Sequence, residues 1–311
     1  MSERATDRRS GYIGRFAPSP TGPLHFGSLV AAVASYADAK AGSGCWLLRI
    51  EDLDPPRELS GAAESFPHVL ERFGLHWDGP ILRQSTRAAA YRAALDQLRA
   101  ANKIFGCDCT RAQLANAPLG VTGERIYPGT CRAGLGPGRN ARSWRVRVET
   151  IDVAFADRIQ GMQTQNLARD AGDFVVRRAD GFWAYHLAVV VDDCAQGITD
   201  IVRGADLLPS TARQIWLQQQ LGAPVPHYAH VPAAVDAAGE KLSKQTRAPS
   251  LATARPLVQL DAAWRFLNQP PSNVAFANVE EFWQWAVPQW DVRQVPATTM
   301  RQCQPAKVVG L

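Results

Sequence analysis

No stretch of the chain approaches the roughly eighteen uninterrupted apolar residues that a membrane-spanning helix requires, so no such helix is expected. Met1 to Ser10 is polar and charged, without the apolar segment of a secretory signal, which makes the cytoplasm the expected location. Without a secretory signal a disulfide framework is not expected, and the six cysteines need another explanation. Lysine is scarce: Lys40, Lys103, Lys241, Lys244 and Lys307 stand against a background of arginine. Lys241 and Lys244 nevertheless fall within one short segment, Lys241-Leu242-Ser243-Lys244. A compact, flexible ammonium used twice there, in a chain that otherwise uses arginine, points to a specific need. Internal repeats and long low-complexity tracts are also missing, which leaves out repeat architectures.

What is present is an ordinary globular composition. At 311 residues and 46% apolar content, the chain can bury a substantial core in two structural units with an insertion. A formal net charge of +5 and a pI near 9.0 are compatible with a polyanionic partner without demanding one.

Tyr12 to Phe16 reads as a short strand closed by Pro18 and Pro20, Pro20-Thr21-Gly22-Pro23 as a turn, and Phe26 to Ala41 as a helix. His25 and Gly27 then sit at a helix start, where unpaired amides and the helix dipole favour anions. Gly27 would let a ligand approach the backbone closely. Cys45 to Ile50 is a nearly continuous apolar run, as expected of a buried parallel strand, ending in the carboxylates Glu51, Asp52 and Asp54. Strand, helix and strand make a right-handed crossover, and ligands of such sheets sit beyond the carboxyl ends of the strands. Helices are expected over Ser60 to Gly74, where Pro67 marks a start or a kink, and over Ser85 to Asn102. From about 106 to 142 the texture turns irregular, rich in glycine and proline. Trp144 to Val148 alternates like an antiparallel strand, Asp180-Gly181 predicts a hairpin between Phe174–Arg177 and Phe182–Tyr185, and Tyr185 to Asp193 enters a helix or a buried segment. A strand over Gly197 to Arg203, a helix capped by Ser210 and stopped by Gly222, and two short aromatic-rich helices near Ala262–Leu267 and Val279–Ala286 complete the chain.

Arg15-Phe16-Ala17-Pro18-Ser19-Pro20-Thr21-Gly22, Arg49-Ile50-Glu51-Asp52-Leu53-Asp54, Ile201-Val202-Arg203-Gly204-Ala205-Asp206 and Lys241-Leu242-Ser243-Lys244 occur in that order. They resemble the glutamyl branch of class I aminoacyl-tRNA synthetases from about residue 12 to residue 245. Lys244-Gln245, and the short stretch after it in place of a large anticodon-binding region, resemble the short paralogue of that branch. The resemblance implies an α/β fold: a Rossmann-like parallel-sheet catalytic domain over 1–105 and 171–250, a small zinc-binding, acceptor-binding-like insertion over 106–170, and a short helical tail over 251–311. It implies ATP-dependent activation of L-glutamate, with Mg²⁺, to glutamyl-adenylate without tRNA. Transfer of glutamate to queuosine in the anticodon of tRNA(Asp) then follows. ATP, glutamate and this tRNA are the expected partners, with no membrane and no obligate protein partner. A truncated enzyme charging a tRNA 3′ end, or a non-catalytic binder of tRNA or glutamate, fits the same residues and stays open.

Charge sorts the candidates. His25, Gly27, Ser28, Lys241, Ser243 and Lys244 go with ATP, His25, Gly27, Lys241 and Lys244 being the catalytic set around the α-phosphate as charge develops there. Arg15, Phe16, Ala17, Pro18, Ser19, Glu51, Tyr185 and Arg203 go with glutamate. Two guanidiniums suit a diacid, and the family motif implies that Glu51 takes the ammonium. Which arginine takes which carboxylate is open. Cys107, Cys109 and Cys131 suit a structural zinc, but no histidine lies nearby to complete the set. The resemblance implies a tyrosine as fourth ligand, and Tyr127 holds its place four residues before Cys131, although the glycine-rich stretch between Cys109 and Tyr127 is longer than the family pattern. Cys45, Cys194 and Cys303 read as core or surface residues. His68, His76, His186, His227 and His230 carry no partner pattern and read as structural, with His186 placed beside the pocket by its neighbour Tyr185. Trp264, Trp283, Trp285 and Trp290 read as core.

Overall fold

Two parallel strands and the helix between them set the frame in the computed structural model, which describes residues 11–120, 123–242 and 249–303. Strand β1 (Ile13–Phe16) lies beside β2 (Cys45–Ile50), with Ile13 opposite Cys45 and Phe16 opposite Leu48. Helix α1 (Phe26–Ala41) crosses between them. From Leu29 to Ala39 every α1 residue but Ala31 is buried, polar Ser35 and Asp38 included. A helix apolar nearly all round must be covered on both sides.

Helix α2 (Ala62–Arg72), which contains Pro67, leads to β3 (Leu82–Arg83), parallel to β2. Helix α3 (Ala88–Ala100) buries Tyr91, Ala94 and Leu98 on one face. The chain then forms β4 (Ile104–Cys107) and, after an irregular stretch, β5 (Ser143–Val146), antiparallel to it. The hairpin of β6 (Asp152–Asp157) and β7 (Gly161–Asn166) precedes a short helix α4 (Leu167–Asp170) and β8 (Val175–Arg177), which returns to β5. Helix α5 (Tyr185–Ala195) is followed by β9 (Asp200–Gly204), a 3₁₀ segment over Ala205–Ser210 and helix α6 (Thr211–Leu221). Strands β10 (His227–Val231) and β11 (Ala233–Val235), helices α7 (Pro256–Phe266) and α8 (Val279–Gln289), and β12 (Met300–Gln302) close the order.

Strands β9 and β10 are parallel, and β6 joins β10 in the same direction. Thr199, just before β9, ties this set to β1: its amide donates to Ile13 O (3.0 Å), and its hydroxyl accepts the Ile13 amide (2.9 Å). The order across the molecule is therefore β3-β2-β1-β9-β10-β6-β7. From β1 the chain moves outward through α1, and from β9 it moves the opposite way through α6. This is the Rossmann-like switch point, where a crevice opens at the strands' carboxyl ends.

Helices α7 and α8 cover the outer side of α1, so the C-terminal tail completes the main core. Trp264 and Trp283 are buried and Trp285 and Trp290 partly so, as expected, and Trp290 Nε1 donates to Asp38 Oδ1 at 2.9 Å.

Three local expectations change. The hairpin forms but its second arm is short: around the Arg177–Trp183 bridge the Arg178 amide donates to Phe182 O (2.9 Å) and the Ala184 amide to Val176 O (3.1 Å), and pairing stops there because Tyr185 begins α5. Ser210 makes no side-chain cap, since the 3₁₀ segment runs straight into α6. Pro67 lies inside α2 and does not begin it. Gly222 does stop α6 in the left-handed region (φ +67), where glycine carries no Cβ penalty. Among the described residues, no helix is long and apolar enough to cross a membrane.

Candidate active site

The crevice is built from the β1 exit upward. Beyond Phe16 the loop is pinned to the end of β2, because Pro18 O accepts the Glu51 amide (3.0 Å) and Pro20 O accepts that of Leu59 (2.8 Å). His25 is the N-cap of α1, and its Nδ1 accepts the Gly27 amide at 3.1 Å. That bond leaves Nε2 as the protonated nitrogen of the neutral ring. Gly27 is needed for space as well: a Cβ there would lie 3.1 Å from His25 Cε1 and 3.4 Å from Leu242 O.

A cavity of about 630 Å³ occupies the switch point. Arg15, Phe16, Ala17, Pro18, Ser19, His25, Gly27, Ser28, Glu51, Tyr185, Arg203 and Lys241 all line it. Lys241 reaches it because Val235 bridges it and the Leu242 amide bonds Ala234 O (2.8 Å), while its ammonium pairs with Asp206. Downstream, Ser250 bridges His25 and the Leu251 amide donates to Leu24 O at 2.9 Å. The two signatures thus meet on one wall. Ser243 and Lys244 lie outside the described residues.

The floor is a network of buried charge. Arg15 donates from Nε and Nη2 to Asp193 (3.2 and 3.4 Å). Arg49 Nη1 lies 2.8 Å from Asp193 Oδ1, and its Nη2 lies 3.4 Å from Glu51 Oε1. Burial alone would raise Asp193, but the two guanidiniums hold it below the usual carboxylate range. In Glu51 burial prevails over Arg49 and Arg15, and the carboxyl is pushed up. Burial also raises the Tyr185 hydroxyl, which remains a neutral donor.

Arg203 differs from Arg15 and Arg49. Its Nε donates to His230 Nε2 (3.0 Å) and its Nη2 to Thr211 Oγ1 (2.9 Å), while buried Nη1 has no hydrogen-bond partner among the described residues. No carboxylate among those residues pairs with this guanidinium. A buried cation without an anion is costly, and a bound carboxylate would relieve the cost.

Sequence reasoning missed Asp193, Asp206, His230, Asp157 and Thr211. A signal existed for two of them: Asp193 follows an apolar run and His230 sits within one, and polar groups at such positions are buried and must be paired. His186 is half-buried and lines a neighbouring cavity, with desolvation and Arg213 pushing its ring down to about 3. That larger cavity, about 1040 Å³, shares Ser19, Glu51, Tyr185 and Lys241 with the first. Arginines (Arg57, Arg111, Arg125, Arg145, Arg178 and Arg213) and carboxylates (Asp54, Glu58, Glu124, Asp173 and Asp206 besides Glu51) line it together, Arg178 pairing with Asp54 and Arg213 with Glu124.

Between β4 and β5, the Sγ atoms of Cys107, Cys109 and Cys131 lie within 4.8 Å of one another. Cys109 and Cys131 are 3.6 Å apart, and Tyr127 Oη lies 3.4 Å from Cys107 and 3.6 Å from Cys109. Tetrahedral zinc with ordinary bond lengths would separate its donors by about 3.5–3.8 Å, so the set fits a small thiophilic cation. Burial and the surrounding thiols push the Tyr127 hydroxyl up, so a phenolate there needs the charge of a bound cation.

Residues 13–255 match the family model of class I tRNA synthetases (E and Q), catalytic domain. The chain is 57% identical over 291 residues to the glutamyl-Q tRNA(Asp) synthetase of Aromatoleum aromaticum, spanning 93% of this chain and 92% of that protein. It is 53% identical over 294 residues to the protein of the same name from Dechloromonas aromatica, spanning 94% and 98%. Among solved structures, a glutamate tRNA ligase from Elizabethkingia meningosepticum, in complex with its amino acid, superposes with a TM-score of 0.79 at 24% identity. That match covers 95% of this chain and 67% of the ligase.

Proposed function

The chain belongs to the class I tRNA synthetases of the glutamate and glutamine branch, and from that premise we propose that it activates glutamate with ATP and transfers it to queuosine in the anticodon of tRNA(Asp). The observation that carries the amino-acid choice is Arg203, a buried guanidinium in the cavity that also holds His25 and Lys241, whose Nη1 has no acceptor among the described residues. An amino acid with a side-chain carboxylate supplies the missing anion, and a neutral amide does not.

In this reading Glu51 receives the ammonium of glutamate, and Arg203 and Tyr185 hold carboxylate oxygens. Arg15, already bonded to Asp193, shapes the pocket with Phe16, Ala17, Pro18 and Ser19. The α-carboxylate oxygen attacks the ATP α-phosphorus, the bond to the bridging oxygen breaks, and pyrophosphate leaves, with Mg²⁺ accompanying the nucleotide. His25, the amides around Gly27 and Ser28, and Lys241 with Ser243 and Lys244 stabilise the charge that develops. A hydroxyl of the queuosine cyclopentenediol then attacks the adenylate carbonyl and AMP departs. The larger cavity, which opens onto Glu51 and Tyr185, is the approach proposed for the RNA. Cys107, Cys109, Cys131 and Tyr127 would hold a structural zinc, whose part is to fold the insertion. The cytoplasm, where ATP and tRNA are available, is the proposed location.

The test is ATP–pyrophosphate exchange without tRNA. Exchange that depends on glutamate and is far weaker with glutamine is expected. Absence of glutamate-dependent exchange would contradict the reading and favour a non-catalytic binder.

A further inference from the structure

Arg203, on β9, is gripped from behind by a chain of polar groups drawn from two further strands and a helix. Asp157, at the end of β6, accepts the amides of Ile159 (3.0 Å), Gln160 (2.8 Å) and His230 (3.2 Å), which fixes its carboxylate. Its other oxygen lies 2.6 Å from His230 Nδ1. The proton is thereby placed on Nδ1 and the lone pair on Nε2, which faces Arg203 Nε at 3.0 Å. Thr211, at the start of α6, takes Nη2. Beneath them the Tyr228 ring stacks on His230 and lies 5.5 Å from the guanidinium carbon. His230 and Asp157 are both wholly buried.

We propose that His230, held in a single tautomer by Asp157, is a positioning residue for the amino-acid site: it fixes the Arg203 guanidinium with Nη1 left for the substrate carboxylate. The inference rests on the proposed glutamate role of Arg203. The choice of residue has a physical reason. A carboxylate at position 230 would hold Arg203 as firmly but would neutralise it and compete with the substrate anion. A neutral imidazole accepts the hydrogen bond and leaves the positive charge for the ligand, which is what separates glutamate from glutamine. The ring meets this requirement: burial, together with Arg203, outweighs Asp157 and pushes His230 down to about 4, so it is neutral near pH 7.

The test uses three variants of the full chain: His230→Leu, His230→Gln and His230→Asn. Glutamate Kd is measured by calorimetry, KM for glutamate and for ATP by pyrophosphate exchange, and thermal unfolding by circular dichroism. Leu removes the acceptor. Gln places its Oε1 near the former Nε2, and Asn is too short to do so. Leu and Asn should each raise glutamate Kd and KM about tenfold to a hundredfold, the range for loss of a hydrogen bond to a charged group. They should leave KM for ATP near wild type and erode the preference over glutamine. Gln should recover most of the loss. Wild-type affinity in Asn, or Gln as weak as Asn, would overturn the positioning role while leaving the glutamate assignment intact. Parallel loss of ATP affinity, glutamate affinity and thermal stability in all three would show a merely structural histidine. Failure of the wild type to bind glutamate would overturn the assignment of Arg203 itself, and this inference with it.

Discussion

Replacing Asp193 with asparagine removes the negative charge that Arg15 and Arg49 share. The three side chains are almost fully buried, with relative exposures of 2%, 4% and 0%. In the variant Arg49 keeps Glu51 at 3.4 Å, the more distant charge of Asp192 and a hydrogen bond to Gln196 (2.8 Å), while Arg15 keeps no ion pair among the described residues. The new amide nitrogen also points a donor at donors. Removing one partner of a buried ion pair costs about 3–5 kcal/mol, because the surviving charge is left uncompensated. Set against a total stability of roughly 5–15 kcal/mol, the loss should be obvious in urea unfolding followed by the fluorescence of the nine tryptophans. The sign with pH follows from Asp193, whose carboxyl is held below its ordinary value. Its contribution is present above the unfolded pKa near 3.9 and fades as pH falls through the lower folded value, so wild type and variant should converge in acid. A variant within about 1 kcal/mol of wild type at pH 7 would refute the view that this network holds the site together.

Glu51→Gln should weaken glutamate binding at neutral pH by about tenfold or more. Because the Glu51 carboxyl is pushed up, wild-type affinity should fall with acid before an ordinary carboxylate would titrate, and wild-type stability should decline slightly as pH rises through that value; both trends should vanish in the variant's pH series. Gly27→Ala places a methyl 3.1 Å from the His25 ring and 3.4 Å from Leu242 O, so KM for ATP should rise about tenfold in the exchange assay with KM for glutamate little changed. Cys107→Ala should lose the stoichiometric zinc expected of the wild type, measured by plasma mass spectrometry, and zinc retained in full would remove Cys107 from the ligand set.

The parts of this molecule that local rules govern could be read from its sequence, helix α1 and strand β2 to the residue. Turn chemistry after β1 and the apolar run before Glu51 sufficed. The glycine-rich stretch between Cys109 and Tyr127 did not prevent the cysteines from coming together: the Cys131 amide donates to Tyr127 Oη (2.8 Å), which lies 3.4 Å from Cys107 Sγ at the end of β4. What escaped was long-range. Asp193 meets Arg15 across 178 positions, and Asp157 meets His230 across 73, so no periodicity could announce either pair. The arm Phe182–Tyr185 was legible up to Ala184, and only its boundary moved: Tyr185 suits a strand, but packing against the core makes it the first residue of α5.

The central claim is that glutamate is carried to an anticodon nucleoside and not to the 3′ end. Queuosine-containing tRNA(Asp) is incubated with labelled glutamate, ATP, Mg²⁺ and the protein, then cut by nuclease into acceptor and anticodon fragments. The label is expected in the anticodon fragment, and should be absent when the same tRNA lacks queuosine. Label confined to the acceptor fragment would contradict the claim and identify a truncated enzyme that charges the 3′ end.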